Sequence, residues 1–121
     1  IVTPGIPDKK MVFLLTQSYY GTLLQAGVRI FEYKPGFLHA KSFVCDDEIG
    51  VVGTINLDYR SLFLHFECAV YLYQVPQIAD VEADFQETLK DYREISMEDW
   101  KNEKFITKLT GRVLRLIAPL M

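Results

Sequence analysis

A helical pattern that ends at a glycine and is followed at once by a strand pattern constrains the fold more than any other feature. We predict a helix over residues 8–26, with Asp8 capping its start, because apolar residues recur at steps of three and four: Val12, Leu15, Tyr19, Leu23 and Ala26. Gly27 supplies the left-handed residue that ends many helices. VRIFEY, residues 28–33, is typical of a strand. The order helix, glycine, strand favours an α/β layer.

Three more apolar runs are predicted to be strands. FLHAKSFVC (residues 37–45) and IGVVGTI (residues 49–55) are joined by the acidic turn Asp46-Asp47-Glu48, which predicts a hairpin. After the irregular segment NLDYRS comes LFLHFECAVYLY (residues 62–73). That run is rich in aromatic and β-branched residues, as a buried strand should be.

From Gln74 onward the patterns are helical. One stripe consists of Ile78, Val81, Phe85, Leu89 and Tyr92, and a last stripe consists of Phe105, Leu109, Val113, Ile117 and Leu120. Between them, Ser96 and Asp99 resemble the capping box of a short helix that contains Trp100. We expect the last stripe to pack on the domain. The alternative is adsorption to a membrane, since its cations are Lys104, Lys108, Arg112 and Arg115.

Length and composition indicate one domain. The chain has 121 residues, half of them apolar, which is enough for a core, and we divide 1–121 into a sheet region at 1–75 and a helical flank at 76–121. It starts at Ile1 without methionine, so we expect a piece of a longer protein. No apolar run approaches the ~18 residues of a membrane span. Cys45 and Cys68 form neither a disulfide framework nor a zinc site, and we expect buried thiols.

The chemistry-bearing residues cluster around the predicted hairpin. Side chains alternate across a strand, so His39 and Lys41 should project from one face, a pairing that suits an anionic substrate. The same parity places Asp46 on the other face or in the turn, where it would brace the hairpin. The only alternative for this stretch is an ordinary amphipathic strand that runs into a turn.

The second predicted strand of the hairpin ends in Gly53-Thr54-Ile55-Asn56, which should come back near His39. Glycine allows an anion to approach the backbone, and the hydroxyl of Thr54 and the amide of Asn56 are uncharged donors. A histidine that does covalent work needs an orienting acid, and a carboxylate in an apolar run needs a partner. Glu67 is therefore predicted to be buried beside His39.

The full pattern is His39-x-Lys41-x4-Asp46-x6-Gly53-Thr54-x-Asn56. At average residue usage it would arise by chance in a chain of this length only about a few times per million. The pattern resembles the signature of the phospholipase D superfamily. SYYGTLLQAGVRIFEYKPGFLHAKSFVCDD and VVGTINLDYRSLFLHFE are, further, similar to the C-terminal catalytic half of bacterial cardiolipin synthases. The likeness covers residues 3–75 in detail, and the ending RVLRLIAPLM is also similar.

The resemblance implies a role for each matching residue. His39 is either the nucleophile that forms a phosphatidyl-histidine or the general acid and base, and the family pattern favours the acid and base role. Lys41 and Asn56 bind phosphate oxygens, and Thr54 occupies a serine or threonine position. Glu67 orients the motif histidine. Asp46 and Gly53 are structural members of the signature, and His65 stands where relatives often have asparagine.

The resemblance also implies a fold and partners. The fold is a phospholipase D-like layered sheet flanked by helices, one half of a pseudo-two-fold pair, so this chain alone carries half an active site and is expected to be inactive. The other half comes from the parent chain or from a second copy. The substrate is phosphatidylglycerol or another phospholipid, with no metal and no cofactor. We expect the parent at the bacterial cytoplasmic membrane and the piece itself to be soluble.

One alternative function remains compatible with a single signature. A phospholipase D-like phosphodiesterase or nuclease completes its site by homodimerisation. The net charge of −3 argues against nucleic acid as a partner.

Overall fold

Six β-strands and four α-helices make up most of residues 1–120, which are the residues that the computed structural model describes. In chain order they are β1 (Val2–Pro4), α1 (Lys10–Gln25), β2 (Ile30–Tyr33), β3 (Ser42–Cys45), β4 (Ile49–Gly53), β5 (Ala69–Tyr73), α2 (Gln77–Thr88), β6 (Tyr92–Ile95), α3 (Met97–Asn102) and α4 (Phe105–Leu114). A π-helical turn covers Arg60–Leu64, and 3-10 turns cover Leu89–Asp91 and Ala118–Leu120. The predicted α/β class is confirmed.

The strands form two three-stranded sheets, β1-β2-β6 and β3-β4-β5. The chain divides into two compact units that each hold one sheet. The first unit is Ile1–Leu38 with the chain from Asp91 onward, and the second is His39–Lys90. The expectation of a single domain divided at residue 75 stays a prediction.

In the first unit, β2 is the central strand. It pairs parallel with β1 and antiparallel with β6, with Ile30 opposite Ile95. Ile30, Ile95 and Tyr20 of α1 form the buried core of this unit. The Tyr20 hydroxyl lies 2.7 Å from Thr3 Oγ1 and donates to Glu32 at 3.4 Å, so these buried polar groups satisfy one another. Burial raises the pKa of Tyr20, because the phenolate would lose its solvation.

The helix limits in the first unit differ slightly from the prediction. Gly27 has a φ of +83°, which confirms the left-handed residue after α1. Asp8 does not cap this helix: the N-cap position is Lys9, and no side chain caps it. A capping side chain must belong to the residue directly before the first helical one, and Asp8 stands one position too early.

The predicted capping box at Ser96 is confirmed. Ser96 Oγ accepts from the Asp99 amide at 3.0 Å, and the Asp99 carboxylate accepts from the Ser96 amide at 2.9 Å. Hydrogen bonds from the Ser96 hydroxyl and amide, with Arg93 nearby, lower the pKa of Asp99 to about 2. The box therefore fixes the start of α3 and with it the position of Trp100.

The helical stripe that was predicted to reach Tyr92 ends earlier. Helix α2 stops at Thr88, and Tyr92 begins strand β6. Tyr92 pairs with Tyr33, and their rings meet edge to face with centroids 5.1 Å apart. This strand is only four residues long, and its partner lies about sixty residues earlier, so local periodicity could not reveal it.

The last helix buries a different face from the one expected. Gly111 and Leu114 are its buried residues, whereas Phe105, Leu109 and Val113 of the predicted stripe are exposed. Gly111 lies against α1 so closely that a Cβ there would stand 2.6 Å from Ser18 Cβ. The expectation that the predicted stripe packs on the domain is therefore wrong, because the approach of two helices at a glycine decides which face is covered.

In the second unit, β3, β4 and β5 form an antiparallel sheet that α2 covers. Ile78 of α2 is fully buried over Gly50 of β4, where an added Cβ would meet Ile78 Cγ1 at 3.3 Å. The predicted hairpin is confirmed, with Cys45 opposite Ile49. Its turn holds Asp46 and Asp47 at φ of +53° and +57°, a conformation that aspartate tolerates better than most residues.

The long strand predicted over residues 62–73 is only half present. Residues 60–64 form the π-helical turn, and β5 begins at Ala69. A short apolar run fits a strand or a helical segment equally well by periodicity. The prediction was wrong here because Asp58 starts a helical turn: its carboxylate accepts from the Ser61 amide at 2.7 Å.

Both thiols are exposed, so the expectation of buried cysteines is wrong. Cys45 is the last residue of β3 beside the turn, and Cys68 directly precedes β5. Strand ends next to turns lie outside the covered middle of the sheet. Within residues 1–120, no helix combines the length and the apolar character needed to cross a bilayer.

Replacing Gly111 with alanine tests the close contact between α1 and α4. The added Cβ would press on Ser18 Cβ and come within 3.1 Å of the Leu14 carbonyl. Such overpacking typically costs about 1–3 kcal/mol, which exceeds the ~1 kcal/mol that alanine gains in helix propensity. We expect Gly111→Ala to lower the melting temperature of the full-length protein. Gly36→Ala is the matched control, because its nearest neighbour would be at 3.9 Å, and an equal effect of both changes would contradict this packing.

Candidate active site

Apart from Asp46, the residues of the signature lie at or next to the open end of the β3–β4 hairpin. Strand β3 begins only at Ser42, so His39 and Lys41 precede it and the predicted strand over 37–45 is too long. The pairing nevertheless continues past the strand, because the Gly53 amide donates to the Lys41 carbonyl at 3.0 Å. His39 and Lys41 therefore lie just before β3, at the end of the hairpin where Thr54 directly follows β4.

His39 and Lys41 are linked through the backbone. The ammonium of Lys41 donates to the carbonyl of His39 at 2.7 Å. The side chain of His39 is exposed, and that of Lys41 is half-buried. The cation of Lys41 is thus held against the backbone of His39, and its joint action with the imidazole stays a prediction. We predicted that His39 and Lys41 share one face of a strand. Because both residues precede β3, that prediction from strand alternation does not apply.

Gly53 is needed for the close approach of β4 and β5. A Cβ at this position would stand 2.5 Å from Ala69 Cβ and would collide with the Cys68 carbonyl. The contact allows the Thr54 amide to donate to that carbonyl at 3.0 Å. In this structure the neighbouring strand therefore occupies the space that a side chain at Gly53 would fill.

Thr54 connects three groups. Its hydroxyl donates to Glu67 Oε2 at 2.5 Å and accepts from the Cys68 amide at 3.1 Å. The bond from Thr54 lowers the pKa of Glu67, and Ser61, His65 and Lys41 lower it further. Glu67 is half-buried rather than buried, so that part of the prediction is wrong. The carboxylate is held in place and ionised by its neighbours, and its pairing with His39 stays a prediction.

Asn56 and Ser61 extend this network. Asn56 Nδ2 donates to Ser61 Oγ at 3.4 Å. The side chain of Ser61 also lowers the pKa of Glu67 by hydrogen bonding. Ser61 is buried, which is unusual for a serine in an exposed turn. Sequence reasoning missed Ser61. The signal that could have found it is the spacing Asp58-x-x-Ser61, in which an acid caps a turn three residues later.

His65 and Asp46 lie in two different turns. His65 follows the π-helical turn and accepts a hydrogen bond from Arg60 Nε at its Nε2 atom. The electrostatic effect of His65 also lowers the pKa of Glu67, although the two residues do not share a strand. Asp46 lies in the turn at the far end of the hairpin, where the Cys45 thiol donates to its carboxylate at 3.3 Å. That contact raises the pKa of Cys45.

The segment beside this network is apolar and exposed. Phe63 exposes 75% of its surface and Phe66 all of it, and the same holds to a lesser degree for Leu57, Tyr59, Leu62 and Leu64. The expectation of a buried strand over residues 62–73 is therefore wrong for Phe63 and Leu64. We call residues 57–66 the apolar rim. Asn56, Ser61 and Glu67 belong to or adjoin it, so the polar network and the rim form one continuous surface.

Comparisons with known proteins show the family of this chain. The family described as "Cardiolipin synthase, PLD-like domain" matches residues 1–89. The chain belongs to this phospholipase D-like family. Cardiolipin synthases of Geobacillus sp. strain WCH70 and of Alkalihalophilus pseudofirmus are 40% and 38% identical over all 121 residues. A protein of Streptococcus mutans described only as uncharacterized is 55% identical over the same length.

These matches cover all of this chain and about a quarter of each relative: 26% of the Streptococcus protein and 24% of the two synthases. The predicted resemblance to cardiolipin synthases is thereby confirmed. Within the part of this phospholipase D-like domain that is described, no three histidine, cysteine or acidic side chains are grouped as a metal site would require.

Replacing Thr54 tests how the family's acid is held. In Thr54→Val the hydroxyl is lost, so the pKa of Glu67 should rise towards the ordinary carboxyl value. Thr54→Ser keeps the hydroxyl and should keep the low pKa. The measurement is a carbon-13 shift titration of the Glu67 carboxyl group. An unchanged titration in Thr54→Val would show that another group dominates.

Proposed function

We propose that this chain supplies one half of the active site of a cardiolipin synthase, which joins two phosphatidylglycerols and releases glycerol. The observation that carries the proposal is the convergence of Lys41, His39 and the Thr54–Asn56 segment at one end of the hairpin. This arrangement offers a cation, an imidazole and neutral donors to a phosphodiester. The family membership of the chain supports the same chemistry.

The reaction takes place in two displacements. In the first, a histidine nitrogen attacks the phosphorus of one phosphatidylglycerol, a P–N bond forms, and the P–O bond to glycerol breaks. The departing oxygen takes a proton from a second histidine, and glycerol leaves. In the second, that histidine removes the proton from a hydroxyl of another phosphatidylglycerol. The new alkoxide oxygen attacks phosphorus, a P–O bond forms, and the P–N bond breaks.

We assign the proton transfers to His39 and the covalent bond to a histidine outside this chain. Lys41 and Asn56 stabilise the charge on the phosphate oxygens, which increases in the transition state. We assign to Glu67, whose carboxylate accepts from the Thr54 hydroxyl, the role of orienting His39. The nucleophilic histidine, with its own lysine and asparagine, comes from the other half of the parent protein or from another copy of this one.

The apolar rim favours a lipid substrate over a nucleic acid. A phosphodiester in nucleic acid is surrounded by further phosphates, which call for many cations. The rim instead presents Phe63, Leu64 and Phe66 to the surroundings next to the polar network. Its charged members are Arg60 and Asp58, and the Asp58 carboxylate is engaged by the Ser61 amide. This surface suits acyl chains that flank a single phosphate, so the homodimeric nuclease is the second choice.

Replacing His39 tests the assignment of the proton transfer. In the full-length parent protein, His39→Ala should lower cardiolipin formation from phosphatidylglycerol at least about a hundredfold. The comparison variant is His65→Gln, the other histidine of this chain, whose Nε2 is engaged by Arg60 and whose loss should cost far less. Wild-type turnover by His39→Ala would refute the site assignment.

Replacing Phe63 tests the class of substrate. Transfer of a phenylalanine from water to lipid is worth roughly 1.5–3 kcal/mol, so Phe63→Gln should lower turnover of phosphatidylglycerol in vesicles about tenfold or more. Hydrolysis of a soluble short phosphodiester should stay the same, and Phe63→Leu should retain most of the vesicle activity. Cleavage of DNA by the wild-type protein, without lipid turnover, would favour the nuclease instead.

A further inference from the structure

Helix α4 turns an apolar face away from the unit in which it is packed. Phe105 and Ile106 expose 75% and 76% of their surface, and Leu109 and Val113 are also exposed. With 3.6 residues per turn, these four side chains lie within an arc of about 100°. Leu116, Ile117 and Leu120 extend the exposed apolar surface towards the end of the chain. We call these seven residues the outer face.

The opposite side of α4 is fixed, so the helix cannot roll to bury the outer face. Gly111 fits against Ser18 of α1, and Leu114 is buried. Arg115 donates to Ser18 Oγ at 2.9 Å and to the Ser18 carbonyl, while its guanidinium lies 4.2 Å from the centre of the Tyr19 ring. A rotation that covered Phe105 would break all of these contacts.

Cations border the outer face. Lys104 and Arg112 are exposed, and Arg112 lies about 20° from Phe105 at the edge of the apolar arc. Lys108 lies on the same border, with its ammonium 4.6 Å from the centre of the Trp100 ring. From residue 104 to the end of the sequence there are four cations and no acid, although the whole chain has a net charge of −3. Three of these four cations, Lys104, Lys108 and Arg112, lie towards this border, while Arg115 is bound to Ser18 on the opposite side.

The charge distinguishes between the occupants that could cover such a face. A second copy docked through the same face would bring its cations against those of the first, which is unfavourable. An anionic bilayer offers acyl chains to the apolar arc and phosphates to the bordering cations. A helix that lies in the plane of the interface needs this combination of an apolar face and basic flanks.

We propose that the outer face of α4 is inserted in the interface of an anionic bilayer, parallel to the membrane plane. Phe105, Ile106 and Leu116 enter the boundary between headgroups and acyl chains. Lys104 and Arg112 contact lipid phosphates. This contact is separate from the chemistry at His39, and it would hold even if the reaction proposed above were wrong.

The test places a fluorescent label at the outer face of the full-length protein in lipid vesicles. Cysteines are changed to serine, and Ile106→Cys carries an environment-sensitive fluorophore. Ile6→Cys is the matched control, because Ile6 is an exposed isoleucine of the same unit, outside α4. Two quenchers are used: lipids brominated on their acyl chains, which report insertion, and iodide in the buffer, which reports exposure to water.

In vesicles that contain phosphatidylglycerol, we expect brominated lipid to quench the label at residue 106 and iodide to quench it little. The label at residue 6 should show the reverse. Removing the anionic lipid, or introducing Lys104→Gln with Arg112→Gln, should weaken quenching at residue 106 by brominated lipid. Each lost cation is worth roughly a fivefold change in adsorption.

Two results would overturn the proposal. Strong iodide quenching at residue 106 in anionic vesicles would mean that the face stays in water. Protection from iodide without quenching by brominated lipid would mean that another part of the protein, or a second copy, covers it. Neither outcome depends on whether the protein makes cardiolipin, so the membrane contact and the catalytic proposal fail separately.

Discussion

The arrangement around His39 depends on how closely β5 approaches the end of β4. Because Gly53 has no side chain, Cys68 and Ala69 come near enough for the backbone of Thr54 to pair with Cys68. That pairing brings the Thr54 hydroxyl within reach of Glu67, and Glu67 in turn is coupled to Ser61. A side chain at Gly53 would separate the two strands at this point. Glu67 would then lose the hydrogen bond that lowers its pKa and fixes its position.

Local chemistry made part of this predictable. The left-handed Gly27, the acidic hairpin turn and the Ser96–Asp99 capping box all depend on residues within a few positions of one another, and the structure contains all three. The predicted hairpin likewise brings the backbone of Gly53 to that of Lys41. Such features need only short-range geometry, which a single sequence contains.

The errors have a common physical origin in contacts between distant residues. Strand β6 exists because β2 offers it an edge, and α4 buries Gly111 because α1 fits there. An apolar stripe in the sequence indicates which residues are apolar. It does not indicate whether other parts of the same chain cover them. That is why Phe105 and Phe63 were both expected inside and are both exposed. Glu67 was likewise assigned to the interior of a strand that begins only at Ala69.

The hairpin also explains the spacing between the residues of the signature. Lys41 and Gly53 face each other across a ladder made of four residues on one side, four on the other and a three-residue turn. The number of residues between Lys41 and Gly53 is thus the number needed to form the hairpin, and the register of its two strands sets that number. A residue inserted into either arm would slip that register and exchange the faces on which side chains lie. The spacing of the motif can vary only where the hairpin can absorb the change, which is in the turn around Asp46.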